Sequence, residues 1–268
     1  MTQLRLDPAW LAGLKARADQ PPRVAREPLW AGDARIGSVE PGWAEGVVLE
    51  PQWVECITCD GQAGWLVRGD VTQSLNAIAL ALRDAGAAHA WRDEQLAVTD
   101  EHGNVLGSVE RAVVRPLGIT TFAVHLAGFS PDGKHWVQMR SSTKATDPGL
   151  WDTLMGGMVA AGESPDTALE RETWEEAGLR LADLRDVRFG GRVLTRHPSD
   201  AGRGGYVVEY IDWYRCVVPE PLVPKNQDGE VERFALLDAE EIAQRLQRDE
   251  FTLEAAVVLD GCRARQRV

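Results

Sequence analysis

The stretch Gly157-Met158-Val159-Ala160-Ala161-Gly162-Glu163-Ser164-Pro165-Asp166-Thr167-Ala168-Leu169-Glu170-Arg171-Glu172-Thr173-Trp174-Glu175-Glu176-Ala177-Gly178-Leu179 decides how the rest of the chain is read. Ser164 suits a helix N-cap, Pro165 the first helical position and Gly178 the C-terminal stop, which predicts a helix over Pro165–Ala177. On that helix Glu172, Glu175 and Glu176 fall at i, i+3 and i+4, so all three carboxylates share one face. Like charges at these spacings destabilise an isolated helix by about 0.2–0.5 kcal/mol per pair. Glu175 and Glu176 also sit in the last turn, where the macrodipole disfavours anions by about 0.3–1 kcal/mol each. Helix stability alone would avoid this arrangement, and a bound divalent cation reverses the sign of both penalties. A run of charge is more often a solvated face, so the glutamates count only through what surrounds them.

The surroundings supply a pattern. The stretch resembles the Nudix box, G-x5-E-x7-R-E-U-x-E-E-x-G-U with U aliphatic, at Gly157, Glu163, Arg171, Glu172, Glu175, Glu176, Gly178 and Leu179. Thr173 stands where an aliphatic residue is usual. That position packs beneath the helix, so the departure bears on local stability more than on chemistry. The resemblance implies an α/β fold, a Nudix α/β/α sandwich with a mixed sheet between helices, preceded here by a small α+β domain. It implies that Glu172, Glu175 and Glu176 bind magnesium, one of them doubling as general base, with Gly156 donating a backbone carbonyl to a metal. Glu163 and Arg171 are expected to form an orienting ion pair, with Gly157 and Gly178 structural. Mg²⁺ prefers oxygen ligands, and Mn²⁺ is the expected substitute. Such ions neutralise a diphosphate, lower the pKa of a bound water and orient it for in-line attack on phosphorus. The family often takes a further acidic group from downstream. Asn226–Phe234 offers Glu230 and Glu232, which alternate by two, so both are expected on one strand face with Val231 opposite. The competing reading is a solvent-facing strand edge.

Working outward, the flanks bear on the substrate. Arg140–Asp152, Asp228–Phe234 and the leader before residue 116 are together similar to one Nudix subgroup. Its members carry an N-terminal domain of unknown function, and in some fungi the pair is fused to thiamine pyrophosphokinase. This implies hydrolysis of thiamine diphosphate, or of its damaged oxothiamine and oxythiamine forms, to the monophosphate and phosphate. Arg140 and Lys144 would then neutralise the terminal phosphate, and Trp151 or a tryptophan of the first domain would stack on a heteroaromatic ring. The plainer readings are surface charges and a core tryptophan. Arg192–Gly205, with Arg196, His197 and Arg203, is polar and glycine-rich enough for a substrate-side loop, whereas His125 sits mid-strand and reads as structural. The alternatives are a pyrophosphatase for ADP-ribose or another nucleoside-diphosphate-linked substrate, and a non-catalytic ligand-binding or regulatory module. An isomerase on the same fold would want a cysteine near the site, for which Cys216 is the only candidate.

The 268 residues suit one large domain or two modest ones. The expected division is an α+β domain over 1–115 and the Nudix domain over 116–268, meeting near 112–118 without a flexible linker. Helical spacing covers Arg5–Ala18 and Asp70–Ala88, and strand patterns cover Leu29–Leu66, Ile119–Phe129, His135–Arg140 and Tyr206–Val218. Cys56 and Cys59 have a C-x-x-C spacing but lie in an alternating run, so they read as strand cysteines. The balance of 29 basic and 41 acidic residues, net −12, argues against a nucleic-acid partner, while bound cations would still admit an anionic small-molecule substrate. No apolar run approaches the ~18–20 residues of a membrane span, and Met1–Leu11 lacks a secretory pattern. The expectation is a soluble cytoplasmic enzyme without a membrane partner, with a homodimer left open.

Overall fold

The computed structural model describes residues 4–59, 61–88, 90–199 and 204–265. In chain order the first elements are α1 (Pro8–Ala18), β1 (Glu27–Ala31), β2 (Ala34–Val39), β3 (Val54–Cys59), β4 (Gln62–Val67), α2 (Val71–Asp84), β5 (Gln95–Thr99) and β6 (Val105–Glu110). There follow β7 (Thr121–Phe129), β8 (His135–Arg140), β9 (Trp151–Asp152), β10 (Met155–Met158), α3 (Pro165–Ala177), β11 (Arg185–Ser199), β12 (Gly205–Val217), β13 (Val231–Leu237), α4 (Ala239–Gln247) and α5 (Leu253–Arg265).

The first part of the chain builds a four-stranded sheet in the order β2-β1-β4-β3 and a separate β5-β6 hairpin. Helix α2 begins where Asp70 accepts the Gln73 amide at 2.9 Å, and it buries Leu75, Ile78, Ala79 and Leu82 at helical spacing. These side chains meet Leu29, Ile36, Leu96 and Val109 in a core of their own. Cys56 is exposed on β3, and the side chain of Cys59 lies outside the described residues.

The second part is a seven-stranded mixed sheet in the order β11-β12-β7-β8-β13, with β10 added to β7 and β9 to β8. Strand β7 runs parallel to β12 and antiparallel to β8 and β10. Its side chains alternate between two cores. Val124 and Leu126 pack with Ala168, Leu169 and Ala177 of α3, while Ala123, Ala127 and Phe129 pack with Val258 and Cys262 of α5. Burial on both faces explains why β7 reads as a near-continuous apolar run. The result is an α/β/α sandwich behind an α+β unit.

Two features tie the parts together. Helix α1 packs on α5 rather than on the first sheet, with Leu4 and Leu14 joining Ile242, Leu246, Phe251 and Leu259 in one core. The buried Arg26 guanidinium donates to Ser38 Oγ at 2.9 Å, to Pro116 O at 3.0 Å and to Gly204 O at 2.6 Å, so one side chain joins β2, the connection and the turn before β12.

The segment read as a substrate-side loop, Arg192–Gly205, departs from expectation. Residues 192–199 belong to the long strand β11, paired antiparallel with β12 in a register that sets His197 against Val207. Thr195 is fully buried there. Arg203 lies outside the described residues. Among the described residues no helix is long and apolar enough to cross a membrane.

Candidate active site

Helix α3 starts and stops where its caps dictate. Ser164 Oγ accepts the Thr167 amide at 3.1 Å, and Gly178 takes a left-handed φ of 62°. A Cβ at Gly178 would lie 2.5 Å from Lys225 O, so the stop also seats the helix against the 225–227 segment. Thr173 is fully buried and bonds within the helix, its hydroxyl donating to Leu169 O at 2.6 Å. The polar substitution in the box is therefore satisfied locally.

Arg171 holds the box together. It grips Glu163 bidentately, Nε to Oε1 at 2.8 Å and Nη2 to Oε2 at 2.9 Å, and Nη2 also donates to Met158 O at 3.1 Å. Its Nη1 donates to Glu172 Oε1 and to Glu175 Oε2, both at 2.9 Å. These bonds fix the 158–163 loop on the helix. They also raise the Arg171 pKa, through the Glu163 bonds first, and lower that of Glu163.

The three glutamates are not equivalent. Glu176 is 1% exposed and accepts from Gln138 Nε2 at 2.7 Å, from Lys144 Nζ at 3.0 Å and from the Gly156 amide at 3.0 Å. Glu172 lies against Gly157, where a Cβ would fall 2.0 Å from the Glu172 carboxyl carbon, so only glycine fits. Burial, and then the charge of Glu176, push Glu172 up to about 7 despite Arg171. Glu175 is half-exposed at the rim.

Lys144 bridges Glu176 and Glu230, at 3.0 and 2.5 Å. Burial works to lower its pKa, but the two carboxylates outweigh it and the net shift is upward. Glu230 moves the other way: burial raises it, and Lys144 more than reverses this, helped by Arg92 and Arg111. Glu232, expected to share a face with Glu230, is exposed and does not line the cleft. A register shift between Val231 and Arg233 breaks the alternation, which corrects that reading.

These groups line an open cleft. Its chemistry suits a hard divalent cation, since partly buried Glu172 and buried Glu176 are neighbouring carboxylates with Glu175 and Glu230 beside them. Among the described residues no three His, Cys, Asp or Glu side chains converge as a ligand group. Instead Arg171 holds Glu172 and Glu175, and Lys144 holds Glu176 and Glu230. A cation would take over contacts that these two side chains now make.

The remaining expectations divide. Arg140 reaches the cleft but is committed to Asp152 at 3.3 Å and to Thr146 O at 2.9 Å. Trp151 is 3% exposed within the core of α1, α4 and α5, with Arg233 and Arg245 over its ring at 5.3 and 5.0 Å. It has no free face, and the stacking role is withdrawn. His125 is buried at the cleft floor, 3.0 Å from Thr153 Oγ1, and its ring fills the space that a Cβ on Gly156 would need. Arg196 pairs with Asp19 at 2.7 Å, outside the cleft. Cys216 is fully buried, its thiol pushed up to about 12 by burial, and it does not line the cleft.

Several cleft residues carried no signal in the sequence. Arg111 and Arg115 come from the end of the first unit, Glu209 from β12 and Glu254 from α5. They are distant in the chain, and no local pattern joins them. Asp147 was detectable only as a polar turn residue; it holds a left-handed φ of 50°, and burial raises its pKa.

Residues 120–258 match the NUDIX domain family. Nudix hydrolase 20, chloroplastic, of Arabidopsis thaliana is 32% identical over 186 residues, covering 68% of this chain and 49% of the relative. An isopentenyl-diphosphate Delta-isomerase of Streptomyces avermitilis is 31% identical over 169 residues, covering 63% of this chain and 83% of the relative. The crystal structure of DR0079 from Deinococcus radiodurans superposes with a TM-score of 0.52 at 21% identity, over 63% of this chain and 99% of that one, which speaks to the fold. The chain thus spans about half the length of the Arabidopsis relative. With the family match running from β7 into α5 and enclosing the glutamate helix, the chain belongs to the NUDIX domain family.

Proposed function

We propose that the protein is a Mg²⁺-dependent hydrolase cleaving the diphosphate of thiamine diphosphate, or of its damaged oxothiamine and oxythiamine forms, to the monophosphate and phosphate. The observation that carries the hydrolytic part is the pairing of partly buried Glu172 with buried Glu176, both facing an open cleft. Arg171 and Lys144 offset the repulsion within this pair, and a divalent cation would take over that role. Glu172, Glu175 and Glu176 would hold the metal, which when bound supplies charge neutralisation of the diphosphate and a water of lowered pKa. Glu230, pulled below its usual range, suits orientation through Lys144. Gln138, Lys144 and the Gly156 amide keep Glu176 aimed into the cleft.

The thiamine part is supported by the flanking sequences Arg140–Asp152 and Asp228–Phe234 and by the unit that precedes them. The same reading divides the chain near residue 115, with α1 docking on the second unit. Isomerisation is disfavoured by Cys216, which sits in the core away from the cleft. Phosphate release should be measured across a panel of diphosphates with Mg²⁺. The expected result is turnover of a thiamine diphosphate that collapses in Glu175→Gln and Glu176→Gln. Full activity without divalent metal would reject the mechanism, and preference for ADP-ribose over every thiamine diphosphate would reject the substrate.

A further inference from the structure

The cations expected to meet a phosphate are already occupied: Arg140 by Asp152 and Thr146, Lys144 by Glu176 and Glu230. Two others are not. Arg92 and Arg115 make no ion pair or side-chain hydrogen bond among the described residues, and Arg111 beside them has a single carboxylate partner, Glu94 at 2.7 Å. All three precede residue 120, where the family match begins. They line an open space between the two units. Arg111 and Arg115 also line the glutamate cleft, so the two spaces adjoin.

The backbone beneath each arginine is pinned. The Arg92 amide donates to Glu110 Oε1 at 3.0 Å, from a carboxylate that is 1% exposed. The Arg111 amide donates to Glu94 O at 2.8 Å. Arg115 O accepts from the Tyr206 and Gly118 amides at 2.9 and 3.0 Å. Three arginines are thus anchored through their backbone at one wall, and the guanidiniums of Arg92 and Arg115 are left to meet a ligand. Glu209 and Asp147 line the same region, yet neither forms an ion pair with Arg115 among the described residues.

We propose that Arg92, Arg111 and Arg115 form an anion subsite for the terminal phosphate of a diphosphate monoester, so that the first unit selects which diphosphates reach the glutamate helix. A terminal phosphate presents three acceptor oxygens and up to two charges, which the planar guanidinium fork matches bidentately. The internal diphosphate of a diester such as ADP-ribose has no such group. The inference builds on the hydrolase reading above, and its test separates the two.

Inorganic diphosphate is titrated calorimetrically into the full chain in chelator, where hydrolysis plays no part. Arg115→Gln and Arg92→Gln should each weaken binding about tenfold or more, Arg115→Lys less, and Arg248→Gln, on an exposed arginine paired with Glu250, not at all. Thermal melts identify any variant that fails to fold, and exposed Arg92 then carries the test. In the kinetic arm, KM for the monoester should rise by about the same factor with kcat little changed, and the constants for ADP-ribose should stay as they are. Absent diphosphate binding by the wild type, unchanged binding in both arginine variants, or an equal KM rise for ADP-ribose would overturn the subsite. A wild type that binds diphosphate through these arginines but hydrolyses nothing would uphold the subsite and reject the hydrolase reading.

Discussion

Glu172 concentrates the conflict between folding and function in a single residue. Its pKa of about 7 in the fold, against the ordinary 4.5, means that its stabilising contribution is full below about 4.5 and is lost as pH rises through about 7. In chelator the wild type should therefore lose about 3 kcal/mol between those limits from this group, and Glu172→Gln should remove that loss while abolishing turnover. Urea unfolding at pH 5 and pH 8 measures it; an unchanged pH slope in the variant would refute the assignment. His135 acts in the opposite sense. Burial against Phe129 lowers its pKa to about 4 from 6.5, so the unfolded chain binds the extra proton and stability falls as pH drops from 6.5 towards 4. His135→Leu should flatten the acid limb of the stability profile, read by unfolding between pH 4 and pH 7. At this scale the sequence displayed the box glutamates because their spacing is local. It could not show that Trp151 is enclosed or that Arg140 and Lys144 are committed, since those facts depend on partners elsewhere in the chain.

Among the elements, α3 was legible to the residue because its caps are chemical: Ser164 and Pro165 begin it and Gly178 ends it. Gly178→Ala should destabilise the protein by about 1–3 kcal/mol, because it strains a left-handed backbone and drives a Cβ onto Lys225 O. The accompanying loss of activity should exceed that of Thr173→Val. The Thr173 hydroxyl bonds only within its own helix, so its removal should cost less than about 1 kcal/mol. Parallel melts and rate assays on the two variants test the contrast. Elements without caps or clean periods were harder to see. Helix α5 places Val257, Val258 and Gly261, poor helix formers, in an apolar run, and β11 interrupts its alternation with Gly190, Gly191 and Pro198. The shift at Val231/Arg233 that separates Glu230 from Glu232 is a backbone event without a residue signature.

Across the whole molecule, the net charge of −12 extends into the cleft, whose lining sets seven carboxylates against Arg111, Arg115, Arg140 and Lys144. The box helix brings its carboxylates to one side of the cleft, and Arg111 and Arg115 bring cations from the first unit to the other. Tryptophans that the sequence left as stacking candidates go largely to packing: Trp43 meets Trp65 edge-on in the first core, and Trp151 and Trp213 are buried in the second unit. The chain's first helix closes over the second unit, an arrangement that no local pattern reveals. Leu14→Ala should consequently cost about 2–5 kcal/mol, because a side chain 1% exposed leaves a cavity against α5. A shift in the urea midpoint of less than half that size would mean that α1 is only loosely docked. The central claim is that the glutamate face of α3 performs divalent-cation-dependent diphosphate hydrolysis. Phosphate release from thiamine diphosphate, its oxo and oxy forms and ADP-ribose, with Mg²⁺ and with chelator, for wild type and Glu176→Gln, tests it most directly. The wild type should turn over a thiamine diphosphate with Mg²⁺ alone; undiminished release in chelator or in Glu176→Gln would rule out hydrolysis by the glutamate face.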